Sequence, residues 1–490
     1  MVVGRASAAG RRAAPPLVVA IAVVVGVCIV ASPTKTVAVF LVAMGLAGTA
    51  AFLARAGFTK ASHFVALPTL TAYILLNQGF ANLTVRLAGL PILVGHVLMF
   101  TGLLLAILPA HRAMLRELRE PALLSLLALM LFSTLHLATN VADHGVYAIR
   151  DSSLFFEGIF LLLGLLWARE ERSVDALGRW LLVVFLLNFC YSLTFPFHET
   201  VQSLSPVSGF FRPVPVLGYY SHTYLYLLAG ALFFMWCAAY VVSWPAWLRG
   251  LLTAGQILSL GIAQARSMYV GMVVVLLVIM LLGEFRKWIK LTVSLCCALV
   301  IFVVLTSHLG LELQGRIGPV QLSFLGDQLR SIAGAPGTPG MTVQGRLDWY
   351  REAWDRAHSS TANFLIGEGF GKPLLENARS KEGVPIRQPH NTHLSVFARL
   401  GLVGATLWAI FHLAILVRFV RVLLGRRSLE PRFYELALWF FLFYLLSMIV
   451  TSVQPHLEFS YGAIPFYVLM GLALGLMRGR TGRVVPMNRV

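Results

Sequence analysis

The chain has 490 residues, of which 58% are hydrophobic and only 12% charged, and its mean hydropathy is +0.79. A soluble chain carries about 25% charged residues to cover its surface, so half that share excludes water as the main solvent and points to lipid. The formal net charge of +18 does not indicate nucleic acid, because the basic residues stand in short clusters between apolar runs and form no single patch.

Apolar runs long enough to cross a hydrocarbon core about 30 Å thick recur from end to end. Lipid offers the backbone no hydrogen bonds, so these runs are predicted helices. The expected fold is all-α, a polytopic transmembrane bundle of about 12–14 spans. Fourteen runs centre near residues 24, 45, 72, 98, 130, 160, 187, 230, 256, 275, 299, 407, 443 and 468. The third is broken by Pro68, and the ninth carries Gln256 and Gln264. The first, Leu17 to Val30 behind Arg5, Arg11 and Arg12, is read as a retained span and not a cleaved signal peptide. Cys28, Cys190, Cys237, Cys296 and Cys297 all fall inside apolar runs without zinc-ligand spacing, so neither a disulfide framework nor a metal cluster is expected.

With the N-terminus cytoplasmic, 24 of the 39 basic residues fall in cytoplasmic segments and five in short external ones; the rest lie in one long external loop. Cytoplasmic loops favour Lys and Arg, and long loops are exempt from that rule, so both termini are expected in the cytoplasm.

The long loop runs from about Leu309 to Gln388. Its Ile332–Gly340 stretch, rich in Gly and Pro, is a predicted hinge. After it, Leu347, Tyr350, Ala353, Trp354 and Ala357 repeat at helical spacing, with Glu352 and Arg356 placed to pair at i,i+4. This helix suits either the membrane–water interface or a packed face within the loop. Then Gly367-Glu368-Gly369-Phe370-Gly371 marks a tight turn where backbone approaches something closely. The loop closes with His390-Asn391-Thr392-His393, directly before the span containing Arg399 and Gly401.

Arg266 sits at a membrane edge between two apolar runs, where a cation usually faces a cavity or a partner, or else snorkels to headgroups. Arg212 precedes the Tyr219-Tyr220-Ser221-His222 start of another span. Arg212, Arg266 and Arg346 together suit a phosphate or diphosphate, whose oxygens the guanidinium fork binds bidentately. His390 has the chemistry to take a proton from a hydroxyl, while His393 on the same face also suits a helix cap or a headgroup contact. No Asp-x-Asp pair on the external face, His-Glu-x-x-His or Walker loop is present, so no metal is expected.

Three segments resemble the O-antigen ligase and polymerase superfamily of bacterial membrane glycosyltransferases. They are Ala265-Arg266-Ser267 opening a span, Arg346-Leu347-Asp348-Trp349 leading to Gly367–Gly371, and His390-Asn391-Thr392-His393-Leu394 running to Gly401-Leu402-Val403-Gly404. The resemblance covers roughly residues 205–425. It departs from the family in two extra N-terminal spans and in Ala265, where a serine is common. It implies a GT-C-like fold in the bacterial plasma membrane, with one large extracytoplasmic loop. The parts would be N-terminal spans (1–204), spans opening the ligase-like region (205–308), the loop (309–391) and three last spans with a tail (392–490).

The implied reaction is metal-independent and needs no soluble cofactor. A glycan on polyprenyl diphosphate is attacked by an acceptor hydroxyl, with membrane lipids around the site and a lipid, glycan or protein as acceptor. His390 would be base or orienting group, and Arg266 and Arg346 would hold the diphosphate. Arg212, Asn391, Gly367, Gly369 and His393 would contact diphosphate or substrate. A repeat-unit polymerase of the same superfamily is the nearest rival. A transporter or flippase of lipid-linked sugars is the rival of another class, against which no internal repeat is found.

Overall fold

The computed structural model describes residues 60–87, 90–169, 171–209, 213–219, 223–305, 341–376, 378–379, 385–426 and 429–480, with 48, 315 and 326 beside them. The first two predicted spans, Cys28, the hinge at 332–340 and Arg212 lie outside the described residues.

The chain from residue 60 onward is helical, as its apolar runs require. In order come α1 (Ala61–Leu76), α2 (Val94–Ile107), α3 (Pro121–His144), α4 (Val146–Phe156), α5 (Phe160–Trp167), α6 (Glu171–Leu193), α7 (Thr223–Leu232), α8 (Ala246–Ala263), α9 (Arg266–Leu281) and α10 (Phe285–Val303). The loop contributes α11 (Met341–Ala357) and α12 (Thr361–Ile366); α13 (Thr392–Leu424), α14 (Pro431–Val453) and α15 (Ser460–Arg480) follow. Two small antiparallel pairs, Thr84–Leu87 with Leu90–Leu93 and Val207–Ser208 with Val214–Pro215, tie connections together. Among the described helices, eight are long and apolar enough to cross a membrane, and α1 and α9 are shorter apolar ones. The protein is a multi-pass membrane protein. Each predicted span centre from residue 72 onward falls inside a helix. The run centred near 160 is interrupted, because Arg150, Asp151 and Glu157 occupy its outer half and a 3-10 turn at Glu157–Ile159 separates α4 from α5.

The centre of the bundle is α15, with α14 and α7 around it. α5 and α15 cross with their backbones in contact: a Cβ on Gly164 would overlap Val468 O, and one on Gly471 would overlap Leu161 O. Small residues permit this approach, which is the main source of helix–helix packing once lipid removes the hydrophobic difference. Trp439 fills the space between α7, α6 and α14, its Nε1 donating to Ala229 O at 2.8 Å. Trp180 and Trp167 donate likewise to Thr71 Oγ1 and Ser62 Oγ, at 3.0 and 3.2 Å, so the buried indoles leave no orphan donor there.

Charged residues collect at the two ends. At one end Glu117 meets Arg478 and Arg169, Glu120 meets Arg418, Lys287 bridges Glu284 and Glu435, and Arg432 meets Asp175. At the other end lie Asp151 with Arg150, Arg387 and Arg399, and Glu368 with Arg356 and Lys372. The first group holds residues that the charge count assigns to the cytoplasm, the second residues assigned outside. The fold therefore sorts the two sets as the alternation of spans demands.

Candidate functional site

The site is built where α11 docks on the start of α13. Asn391 caps α13, its Oδ1 accepting from Leu394 N at 3.1 Å. The residue before it, His390, has φ +56°, a left-handed backbone that a side chain other than Gly or Asn seldom adopts. That turn sends the chain from Pro389 into the helix and sets the imidazole against α11. Trp349 meets it edge-on at 5.3 Å. Burial, and secondarily the Arg346 guanidinium, push the His390 pKa down to about 4. The imidazole is therefore neutral at neutral pH and keeps a lone pair to accept a proton.

Arg346, Trp349 and Tyr350 lie on one face of α11 because they are spaced i, i+3, i+4. Tyr350 anchors that face by donating to Ser452 O at the end of α14, at 3.1 Å. Ala353 and Ala357 are fully buried below, whereas Leu347 and Trp354 remain exposed. Most of the apolar stripe read in the sequence thus docks, Trp354 meeting Phe397 of α13 at 5.5 Å while half exposed, and Leu347 is left outside. The predicted Glu352–Arg356 pair is not the pairing seen. Arg356 reaches Glu368 and Glu376, and Glu352 Oε1 accepts from Glu376 N at 2.7 Å. Contacts across the loop outcompete a helix-surface pair worth only a few tenths of a kcal/mol.

Arg266 is the first residue of α9, reached through a left-handed Gln264 (φ +54°) that ends α8. A cation there opposes the helix dipole, so local helix stability does not explain it. Gly271 of α9 packs on Leu446 of α14. Arg266 lies about 7.5 Å beyond Gly271, and Ser452 about 9 Å beyond Leu446, at 1.5 Å per residue. Arg266 and Tyr350 therefore stand at a similar level beside the Val453 end of α14. The structure brings Arg346, His390 and Asn391 together and sets Arg266 toward the same end.

The glycines have another partner. Gly367, Gly369 and Gly371 all have positive φ (+84°, +83°, +94°). A Cβ would meet the Arg399 carbonyl at the first, Asn140 at the second and His144 at the third. Glu368 N and Gly369 N donate to Ala398 O and Arg399 O, at 3.0 and 2.9 Å. Those carbonyls are free because α13 breaks at Gly401 (φ +60°, ψ −161°). Phe370 N donates to Asn140 Oδ1 and Gly371 N to Asp151 Oδ2, at 3.0 and 3.3 Å. The close approach predicted for this turn is to protein backbone and side chains, and its N–H groups are spent there.

The Gly401 break also relocates His393. The two arms of α13 fold back so that Trp408 Nε1 donates to His393 Nδ1 at 3.0 Å. His393 thus faces the bundle interior, neither capping the helix nor meeting headgroups.

Two carboxylates escaped the sequence reading. Asp151, almost fully buried, accepts from Arg150 Nη2 at 2.7 Å and pairs with the buried Arg399 at 2.9 Å. Glu458, in the short turn between α14 and α15, is pushed up to about 7 by burial, against the opposing pull of Arg399. A charged residue inside an apolar span is the signal that would have singled out Arg399. Glu458 carries no such signal, since its neighbours come together only in the fold. Among the described residues no group of three His, Cys, Asp or Glu is placed to hold a metal ion.

Residues 251–409 match the O-antigen ligase family model. Over that region the match supports kinship with the O-antigen ligase superfamily. The ligase region contains Arg266, Arg346, the Gly367–Gly371 turn, His390 and the Gly401 break, while Asp151 and Glu458 lie on either side of it. No curated protein matches the chain.

Proposed function

We propose that the protein transfers a preassembled glycan from a polyprenyl diphosphate carrier to an acceptor hydroxyl, without a metal, on the extracytoplasmic face of the bacterial plasma membrane. Both termini then lie in the cytoplasm. The observation that carries this reading is the corner where a neutral, half-buried His390 sits in the field of Arg346. An acceptor hydroxyl hydrogen-bonded to the imidazole attacks the anomeric carbon. The bond from that carbon to the diphosphate oxygen breaks with inversion, and the hydroxyl proton passes to His390.

The departing diphosphate gains negative charge, which Arg346 and Arg266 neutralise. Preorganised cations away from bulk water are worth most at that moment. Arg212 is assigned a further diphosphate contact. Asn391 holds the backbone of His390 in place through its cap. Gly367, Gly369 and His393 support the site by fixing α13 rather than by touching the donor. Membrane lipids surround the carrier, and a lipid, glycan or protein supplies the acceptor.

Transfer by purified protein on a defined polyprenyl-diphosphate glycan is the test. His390→Ala and Arg346→Ala are expected to insert normally and to leave the lipid-linked donor unconsumed. Normal transfer by Arg346→Ala would sink the assignment. Offering both a lipid-linked repeat and a terminal acceptor separates ligation from polymerisation.

A further inference from the structure

We infer that the connection between α2 and α3, residues 108–119, is a binding site for one anionic phospholipid, at the end of the bundle that the charge count assigns to the cytoplasm. The site is independent of the transfer reaction.

α2 has 14 residues. Its rise of about 21 Å falls short of a hydrocarbon core about 30 Å thick. The chain after it therefore still runs at lipid depth before it reaches the headgroups. Leu108–Ala110 forms a 3-10 turn around Pro109, and a short helix follows at His111–Glu117. One side of this segment meets the protein: Ala113, Met114 and Leu118 pack against the core, and Glu117 is buried. The other side is open. Leu104, Leu108 and Leu115 are 59%, 70% and 61% exposed, and Arg112, Arg116 and Arg119 are exposed beside them. Leu104 and Leu108 come first, toward the membrane interior, and the arginines last, with Leu115 among them. That is the order of acyl chain and phosphate in a lipid.

Pairing decides the argument. The two carboxylates of this corner are turned toward other helices. Glu117 meets Arg478 at 3.2 Å and Arg169 at 3.8 Å. Glu120, 3% exposed, meets Arg418 at 3.3 Å and Arg478 at 4.0 Å. Among the described residues, the side chains of Arg112, Arg116 and Arg119 have no ion pair, hydrogen bond or ring contact. Six guanidiniums against two carboxylates leave the corner strongly positive, and these three carry the surplus.

A cation at the lipid boundary is costly unless an anion or water meets it. The helix dipole favours a cation in the last turn, which covers Arg116 and not Arg112. Arg112 to Arg119 spans about 10 Å of helix rise, and each guanidinium binds phosphate oxygens through a planar fork, so the three can close on one headgroup. An anionic glycerophospholipid supplies both halves of the match, a phosphodiester for the arginines and acyl chains for the leucines. A soluble phosphate ester supplies only the first.

The test uses full-length protein in nanodiscs that mix phosphatidylglycerol and phosphatidylcholine with the same acyl chains, and native mass spectrometry counts the lipids retained. Wild-type protein is expected to keep a phosphatidylglycerol after the phosphatidylcholine has dissociated. The triple variant Arg112→Gln, Arg116→Gln, Arg119→Gln should bind it at least ~10-fold more weakly. A control triple, Arg286→Gln, Lys290→Gln, Arg421→Gln, removes the same charge from exposed positions at the same end and should retain the lipid. Arg116→Gln alone, with a several-fold loss, carries the test if the first triple does not insert. Leu108→Gln should also weaken retention, with every charge in place. Equal loss in the two triples would mean diffuse attraction to surface charge and overturns the site. So does equal retention of both lipids by wild type, or displacement of the lipid by inorganic phosphate.

Discussion

The Gly367–Gly371 turn and the His390 corner lie at opposite ends of the same arm of α13, yet they use their polar groups in opposite ways. In the turn, successive N–H groups donate to Ala398, Arg399, Asn140 and Asp151, so the segment works as a clip that holds a broken helix. At the corner, an imidazole is held neutral beside a guanidinium, on a backbone conformation that only its neighbours impose. A run of glycines looks like a place for a ligand, while a single histidine looks like ordinary solvated surface. The fold sets the glycines against protein atoms and leaves the histidine neutral and half-buried.

Replacing residues in each region tests this contrast. The largest effect is expected from His390→Ala, which should lower transfer by ~10²–10⁴-fold, the usual range for a lost general base, with unchanged membrane insertion. Arg346→Ala should follow, at ~10²–10³-fold in turnover, as for a lost charge stabiliser. Arg346→Lys should recover only part of that, since an ammonium lacks the planar fork.

The clip should respond in stability instead. Arg399→Met removes one of the three arginines around buried Asp151 and leaves Arg150 and Arg387, at a cost of about 1–3 kcal/mol. Asp151→Asn combined with it should cost less than the sum of the two single changes. Gly401→Ala forces a side chain into a positive-φ conformation against the Leu365 backbone, worth at least ~1–3 kcal/mol. Thermal melting of detergent-solubilised protein reads both. A clip variant that keeps its melting temperature yet loses donor binding would break the contrast.

The smallest effect is in pH. His390 is depressed to about 4, so its neutral form persists as pH falls from 7 to 5. Transfer should stay flat over that window and decline only as pH approaches 4. A loss centred near pH 6.5 would mean that the imidazole is solvated.

How legible the molecule was in its sequence depended on the scale of the signal. Spans such as α14 and α15 could be read directly, because twenty apolar residues in a row have few alternatives. The sorting of Arg169, Arg418 and Arg478 to one end followed from counting basic residues between spans. Arg346 and His390 could be singled out by residue type and by their place in the loop. The docking face of α11 could be read only in part, because Leu347 has the same apolarity whether it faces α13 or lipid headgroups. The purpose of Gly367 and Gly369 could not be read. A positive φ is written in the glycine, but the carbonyls it meets exist only because Gly401 breaks a helix thirty residues on. Glu458 was invisible for the same reason, since Arg399 reaches it only in three dimensions.

The clip also imposes an order on assembly. Asp151 enters the bundle early in synthesis, and its Gly371 donor follows 220 residues later; Asn140 waits 230 residues for Phe370. At ~5–20 residues per second, that is a delay on the order of 10–45 s. During that interval the carboxylate has Arg150 beside it, while Arg387, Arg399 and the Gly371 N–H are still to come. The early helices are therefore a waiting frame, and this end of the bundle sets only when its last third arrives.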